Sequence, residues 1–229
     1  MYENLNCRYA AAYVRGVADD LPVHLQTMPL DELNPQEIDE VIAWGKAREL
    51  KLYRFKQQDE PLPRVRRTLG FLKSVRFDSL LDVGSGRGVF LLPFMEEFPW
   101  VSVTSVDILP RRVEWLNGLR RGGIEQLTAL EANICEAPFP DKSFDVVTLL
   151  EVLEHIPEVE RAVCEAVRLA RRYVVVSVPS KEDNNPEHIH LLTKQRLTEL
   201  FAKAGCERLR FDGVNGHLFM VASINGGAK

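Results

Sequence analysis

The sequence predicts an α/β protein with a doubly wound sheet, and three observations carry that reading. From Ser79 onward, apolar strand-like runs alternate with amphipathic helical stretches, the pattern of parallel strands joined by crossovers. The first run, Ser79 to Val83, breaks at once into Gly84-Ser85-Gly86-Arg87-Gly88 before a fresh helical stretch. The last two runs are separated only by Asp212-Gly213-Val214-Asn215-Gly216, residues suited to a hairpin, so the chain closes on an antiparallel pair.

Residues 1–75 read differently, as a helical extension or lid ahead of a domain spanning 76–229. Tyr9, Tyr13, Val14 and Val17 fall on one helix face, and Ile38, Val41, Ile42 and Gly45 on another. Asn34-Pro35-Gln36-Glu37 has the form of a helix start, with an Asn cap, Pro at the first helical position and Glu three residues after the cap. Pro61-Leu62-Pro63 interrupts, and a helix over 64–75 leads into the first strand. Tyr9, Tyr13, Tyr53, Arg54 and Phe55 are aromatic and cationic candidates to line the lid, although core packing is the simpler reading of the rings.

In the alternating part, 89–98 is the first helix, with Pro93 close enough to its start to be tolerated. Residues 101–107 form the second strand, 111–121 a helix stopped by Gly122-Gly123, 126–131 the third strand and 145–150 the fourth. Val159, Ala162, Val163, Ala166, Val167 and Ala170 mark an amphipathic helix, and the apolar run 173–178 suits a strand covered on both faces. Thr193 caps a further helix that ends at Gly205, before strands over 206–211 and 217–224.

Three glycines in five residues allow a sharp turn from strand to helix and a close approach of ligand to backbone. A dinucleotide fingerprint spaces them Gly-x-Gly-x-x-Gly. Here the third glycine comes one residue early, which favours a nucleoside cofactor without a diphosphate. Val103 to Asp107 then places a carboxylate nineteen residues after Gly88, near the offset at which an acid grips a ribose.

The stretch Asp82-Val83-Gly84-Ser85-Gly86-Arg87-Gly88 resembles the first motif of the class I S-adenosylmethionine-dependent methyltransferases. Asp107, Asn133-Ile134 and the segment from Phe139 through Asp145 to Glu151-Val152-Leu153-Glu154-His155 match three further motifs in order. The resemblance implies strand order 3-2-1-4-5-7-6 with the seventh strand antiparallel, and S-adenosylmethionine as cofactor with S-adenosylhomocysteine as product. It assigns Asp82, Gly84, Ser85, Gly86 and Gly88 to the cofactor loop, Asp107 to the ribose, and Ile108, Asn133 and Ile134 to the adenine. Asn133 stands where the family more often has Asp. Glu151 is placed near the amino group or sulfonium.

Methyl transfer requires in-line placement more than a base, but a hydroxyl acceptor would call on His155, His188 or His190. No metal is expected. The alternative is a divalent ion on Glu151, Glu154, His155 and His190, a set similar to that of metal-dependent small-RNA 2′-O-methyltransferases. The expected acceptor is a small molecule. RNA is the alternative, through the segment Lys46 to Arg76, whose ten Lys/Arg against three acids give about +7 in a chain of net charge −4. A cofactor-binding protein without turnover is the second alternative.

Cys7, Cys135, Cys164 and Cys206 lie far apart, which argues against a zinc ribbon or a disulfide framework. No apolar run is long enough to span a membrane, and the expected location is cytoplasmic. The oligomeric state is not encoded in any motif.

Overall fold

The computed structural model describes residues 5–56, 61–182 and 184–224. In chain order the helices are α1 (Cys7–Val17), α2 (Val23–Thr27), α3 (Pro35–Ala47), α4 (Pro63–Lys73), α5 (Leu91–Glu97), α6 (Pro110–Arg121), α7 (Val159–Leu169) and α8 (Lys194–Lys203). The strands are β1 (Ser79–Val83), β2 (Ser102–Asp107), β3 (Leu127–Glu131), β4 (Phe144–Leu150), β5 (Ala170–Pro179), β6 (Leu209–Val214) and β7 (His217–Ser223). They form one 7-stranded sheet in the order β3-β2-β1-β4-β5-β7-β6, as expected. β1 runs parallel to β2 and β4, and β4 to β5, while β7 is antiparallel to both β5 and β6.

The chain divides into two compact units, one drawn from Met1–Glu60 with Leu109–Ala129, the other from Pro61–Ile108 with Leu130–Lys229. In the larger unit the core is built on β1, β4 and β5, where Leu81, Val147, Leu149, Val174 and Val176 are fully buried. The apolar face of α7, Ala162, Val163 and Ala166, joins the same core, as does Phe201 of α8. Lys142, at φ +56, closes the far end of α7 by donating from Nζ to the Val167 and Ala170 carbonyls, satisfying acceptors that a helix end leaves open.

Among the boundaries that differ from the sequence reading, three show their physical cause. α5 begins at Leu91 because Gly88, at φ +76, still belongs to a tight turn in which its N–H donates to the Ser85 carbonyl. β5 starts at Ala170, since pairing with β4 begins at Phe144↔Ala170 and Arg171 is anchored on the Asp145 carboxylate. The hairpin is tighter than expected: Asp212, Gly213 and Val214 belong to β6, and only Asn215-Gly216 turns, with Gly216 at φ +84.

In the smaller unit α1 is capped by Asn6, and α3 carries the full reciprocal cap, Asn34 accepting from Glu37 N–H while Glu37 accepts from Asn34 N–H. Tyr9 and Phe55 are core residues, and Tyr13, Phe55 and Trp115 form a run of ring contacts with centroids 5.6 and 5.7 Å apart. Arg15 is buried, and its Nη2 donates to the Gln26 and Met28 carbonyls, pinning α2 to α1. Helices α1 and α6 cross at backbone contact. A Cβ added to Gly16 would stand 1.7 Å from the Gly118 carbonyl oxygen, and one added to Gly122 would stand 1.6 Å from that of Ala12. Only hydrogen fits at either position.

This crossing makes a stability prediction. Gly122→Ala should force the helices apart and destabilise the protein by about 3 kcal/mol or more, lowering Tm by roughly 6–12 °C. Gly70→Ala is the contrast, since nothing lies within 4 Å of its added Cβ inside α4. That variant should gain about 0.5–1 kcal/mol in urea unfolding.

Candidate functional site

In an open parallel sheet, ligands bind at the carboxyl ends of strands where the winding reverses, here between β1 and β4. The turn leaving β1 shows why glycine stands there: Gly84, Gly86 and Gly88 have φ of +67, +58 and +76, the left-handed region that side chains disfavour. Gly84 is further confined, because an added Cβ would lie 2.9 Å from Val152 Cγ2. At Gly86 such an atom would meet only the Gly84 carbonyl oxygen, at 3.8 Å, so that backbone lies open to a ligand.

Asp82 sets the shape of this turn from beneath. Its carboxylate is 2 % exposed and accepts from Thr148 Oγ1 at 2.7 Å and from Ser85 Oγ at 2.5 Å. Ser85 in turn meets Ser105 Oγ at 2.6 Å, so β2, β1, the glycine turn and β4 share one polar chain. No cation pairs with Asp82 among the described residues. Burial pushes its pKa up to about 6, with the two hydroxyls opposing the shift and the Asp107 charge adding to it. Thr148 and Ser105 were legible only as isolated polar residues inside apolar strands.

Asp107, 4 % exposed, ends β2, and its carbonyl accepts from Ala132 N–H, drawing the ends of β2 and β3 together. Ile108 is 66 % exposed, an apolar side chain presented to solvent beside that acid. Asn133 is exposed and accepts from Cys135 N–H, capping the short turn Ile134–Glu136. Ile134 is 3 % exposed and its side chain belongs to the core. These residues, with the glycine turn, fit an adenosyl ligand: an open backbone cradle, then an acid, an exposed aliphatic and an amide at successive strand ends.

Glu151 directly follows β4 and holds φ +58, left-handed for a residue with a side chain. Its N–H donates to the Ser177 carbonyl, and its carboxylate accepts from Ser177 Oγ at 2.7 Å. The other oxygen meets His217 Nε2 at 3.0 Å, and Arg64 Nε stands 3.9 Å away. The three contacting residues come from α4, β5 and β7, and no sequence spacing announces their meeting.

The other candidates form a separate knot. Glu154 is fully buried, and its carbonyl accepts from the N–H groups of Ile189 and His190. His155 Nδ1 meets the Glu187 carbonyl at 2.9 Å, His190 Nε2 meets the Ile156 carbonyl at 3.0 Å, and the His155 and His188 rings pack with centroids 4.8 Å apart. Of the alternative metal set, Glu154 and His155 therefore sit together, joined by His188 in place of His190, with possible ligand atoms all within 4.8 Å. Glu151 is committed to its own cluster.

Much of the basic segment is paired. Arg48 binds Asp20 and covers the Trp44 ring, Arg67 binds Asp212, and Lys73 binds Glu97. Asp59 and Glu60, counted against that segment, lie outside the described residues. The cysteines are free, with Cys135 and Cys206 buried, and among the described residues no helix is long and apolar enough to cross a membrane.

Comparison with known proteins is consistent with this geometry. Residues 81–176 match the family model described as a methyltransferase domain. The chain is 35 % identical over 107 residues to 27-O-demethylrifamycin SV methyltransferase of Amycolatopsis mediterranei, covering 46 % of this chain and 39 % of that protein. It is 25 % identical over 127 residues to ajmaline N-methyltransferase of Rauvolfia serpentina, covering 51 % and 43 %. The matched part thus spans about two-fifths of those relatives. A crystal structure of a SAM-dependent methyltransferase from Aquifex aeolicus superposes with TM-score 0.59 at 20 % identity, covering 71 % of this chain and 90 % of that one, a likeness of fold.

The Asp82 network predicts a pH dependence. Its folded-state pKa of about 6 lies above the ordinary 3.8, so the folded protein holds this proton more tightly than the unfolded chain does. The resulting stability is present in full below about pH 4 and is lost as pH rises through about 6. Urea unfolding of wild type and Asp82→Asn at pH 4 and pH 7.5 should show wild type losing about 3 kcal/mol relative to the variant over that interval.

Proposed function

Since this chain belongs to the class I S-adenosylmethionine-dependent methyltransferases, we propose that it transfers a methyl group from S-adenosylmethionine to a nucleophile of a small-molecule acceptor. The observation that carries this reading is the pairing of the open, left-handed glycine turn after β1 with the buried acid ending β2. When bound, the cofactor supplies an electrophilic methyl carbon on a sulfonium.

In this reading the backbone of Gly84 to Gly88 receives the methionine part, held in shape by Ser85 and Asp82. Asp107 takes the ribose hydroxyls, its carboxylate oxygens acting as acceptors. Ile108 covers one face of the adenine, and Asn133 reads its edge, donating from the amide nitrogen while its oxygen remains on Cys135 N–H. Glu151 stands where donor and acceptor halves meet, one residue from the Val152 side chain that closes on Gly84.

The acceptor nucleophile then has to lie in line behind the methyl carbon, and orientation in a water-poor site supplies most of the acceleration. For a hydroxyl nucleophile, His155 is the residue assigned in this reading to take the proton. Its Nδ1 hydrogen, donated to the Glu187 carbonyl, leaves the lone pair on Nε2. A small-molecule acceptor is supported by the relatives, which are named for 27-O-demethylrifamycin SV and for ajmaline, and by the intramolecular pairing of Arg48, Arg67 and Lys73.

Calorimetric titration should detect S-adenosylhomocysteine binding to wild type. Asp107→Ala should weaken it by about 10²–10³-fold, the loss of two charge-assisted hydrogen bonds. Equal affinity in the two proteins, or no binding to either, would remove the assignment.

A further inference from the structure

The cluster around Glu151 points to the chemical class of the acceptor, an inference that rests on the methyltransferase reading above. By sheet order, Asp107 and Asn133 lie on the β1-β2-β3 side of the winding reversal, and Glu151 and Ser177 on the β4-β5 side. Because β7 is antiparallel to β5, its first residue, His217, arrives at the same rim, paired with Pro179. The donor residues proposed above occupy one half, which leaves the other half to the acceptor.

The contacts within the cluster are unequal. Ser177 Oγ and His217 Nε2 are within hydrogen-bond distance of the Glu151 carboxylate, at 2.7 and 3.0 Å. Arg64 Nε, at 3.9 Å, is held by charge alone. Among the described residues, no partner faces the two terminal nitrogens of Arg64, and the side chain is 23 % exposed. The Glu151 carboxylate thus stands nearest the Nε of the guanidinium, and the two terminal nitrogens of Arg64 keep donors with no hydrogen-bonded acceptor among the described residues.

We infer that Arg64 grips a carboxylate of the methyl acceptor through its planar fork, and that Glu151 and His217 are positioning residues that hold Arg64 at the rim. A guanidinium with two free parallel donors matches a carboxylate in two bonds, and phosphoryl groups share enough of that shape to need separate testing. The left-handed Glu151 is consistent with this role, since an unfavourable backbone angle aims its side chain at three elements simultaneously.

The test is calorimetric titration of the full chain, saturated with S-adenosylhomocysteine, with benzoate, phenyl phosphate and the neutral isostere benzamide. Wild type should bind benzoate about 10-fold or more tighter than benzamide. Arg64→Gln should abolish that preference while keeping wild-type Tm and S-adenosylhomocysteine affinity, and Arg64→Lys, which keeps charge without the fork, should retain only part of it. Glu151→Gln, which removes the charge that holds Arg64 at the rim, should reduce the benzoate preference without abolishing S-adenosylhomocysteine binding. Benzoate binding no tighter than benzamide, or a preference that survives Arg64→Gln, overturns the inference, and phenyl phosphate preferred to benzoate overturns the choice of carboxylate. An Arg64-dependent benzoate preference in protein that binds no S-adenosylhomocysteine would sustain this inference while removing the methyltransferase reading.

Discussion

The candidate site depends on one buried carboxylate. Asp82 has no cationic partner among the described residues, so its two hydroxyl donors must stay in place, and each belongs to a different part of the site: Thr148 to β4, Ser85 to the glycine turn. Removing either would leave a desolvated acceptor with no hydrogen-bond compensation at that oxygen. The turn is consequently fixed to the sheet by polar bonds from below while its upper backbone stays open. A hydrophobic anchor of the same volume would hold the strand equally well, but it would not define where Ser85 and the glycines stand.

A second constraint acts across the rim. Val152 closes on Gly84, and Glu151 beside it reaches Ser177, His217 and Arg64, so the segment after β4 is tied both to the turn after β1 and to β5, β7 and α4. The same segment continues into Glu154 and His155, which are bonded to the backbone of residues 187–190. Displacement of one strand end therefore strains its neighbours, the arrangement needed to hold reacting atoms to a fraction of an ångström.

What the sequence discloses is what is local. The helix start at Asn34, the cap at Thr193, the alternation of strands with helices, and the glycine turn with its following acid are each written in a few adjacent residues, and the structure places them where the spacing puts them. What stays hidden is convergence. His217, Ser177 and Arg64 are unremarkable in their own segments and acquire meaning only because sheet order brings three distant pieces to Glu151. Gly122 shows the same limit: it reads as a helix stop, and it does end α6, but its missing side chain also admits the Ala12 carbonyl from α1. The boundaries of β5 and β6 shift for a related reason, since ladder pairing extends strands through residues whose propensities favour turns or solvent.

The contact of α1 with α6 also bears on the order in which the protein is completed at the ribosome. Helix α1 meets α6 at Ala12 and Gly16, yet the glycines that receive it belong to a segment translated about a hundred residues later. Until Gly122 clears the exit tunnel, the first unit lacks one of its walls, and its small-residue face has no native partner. Helix α1 therefore completes its packing only once the segment carrying Gly118 and Gly122 has been made.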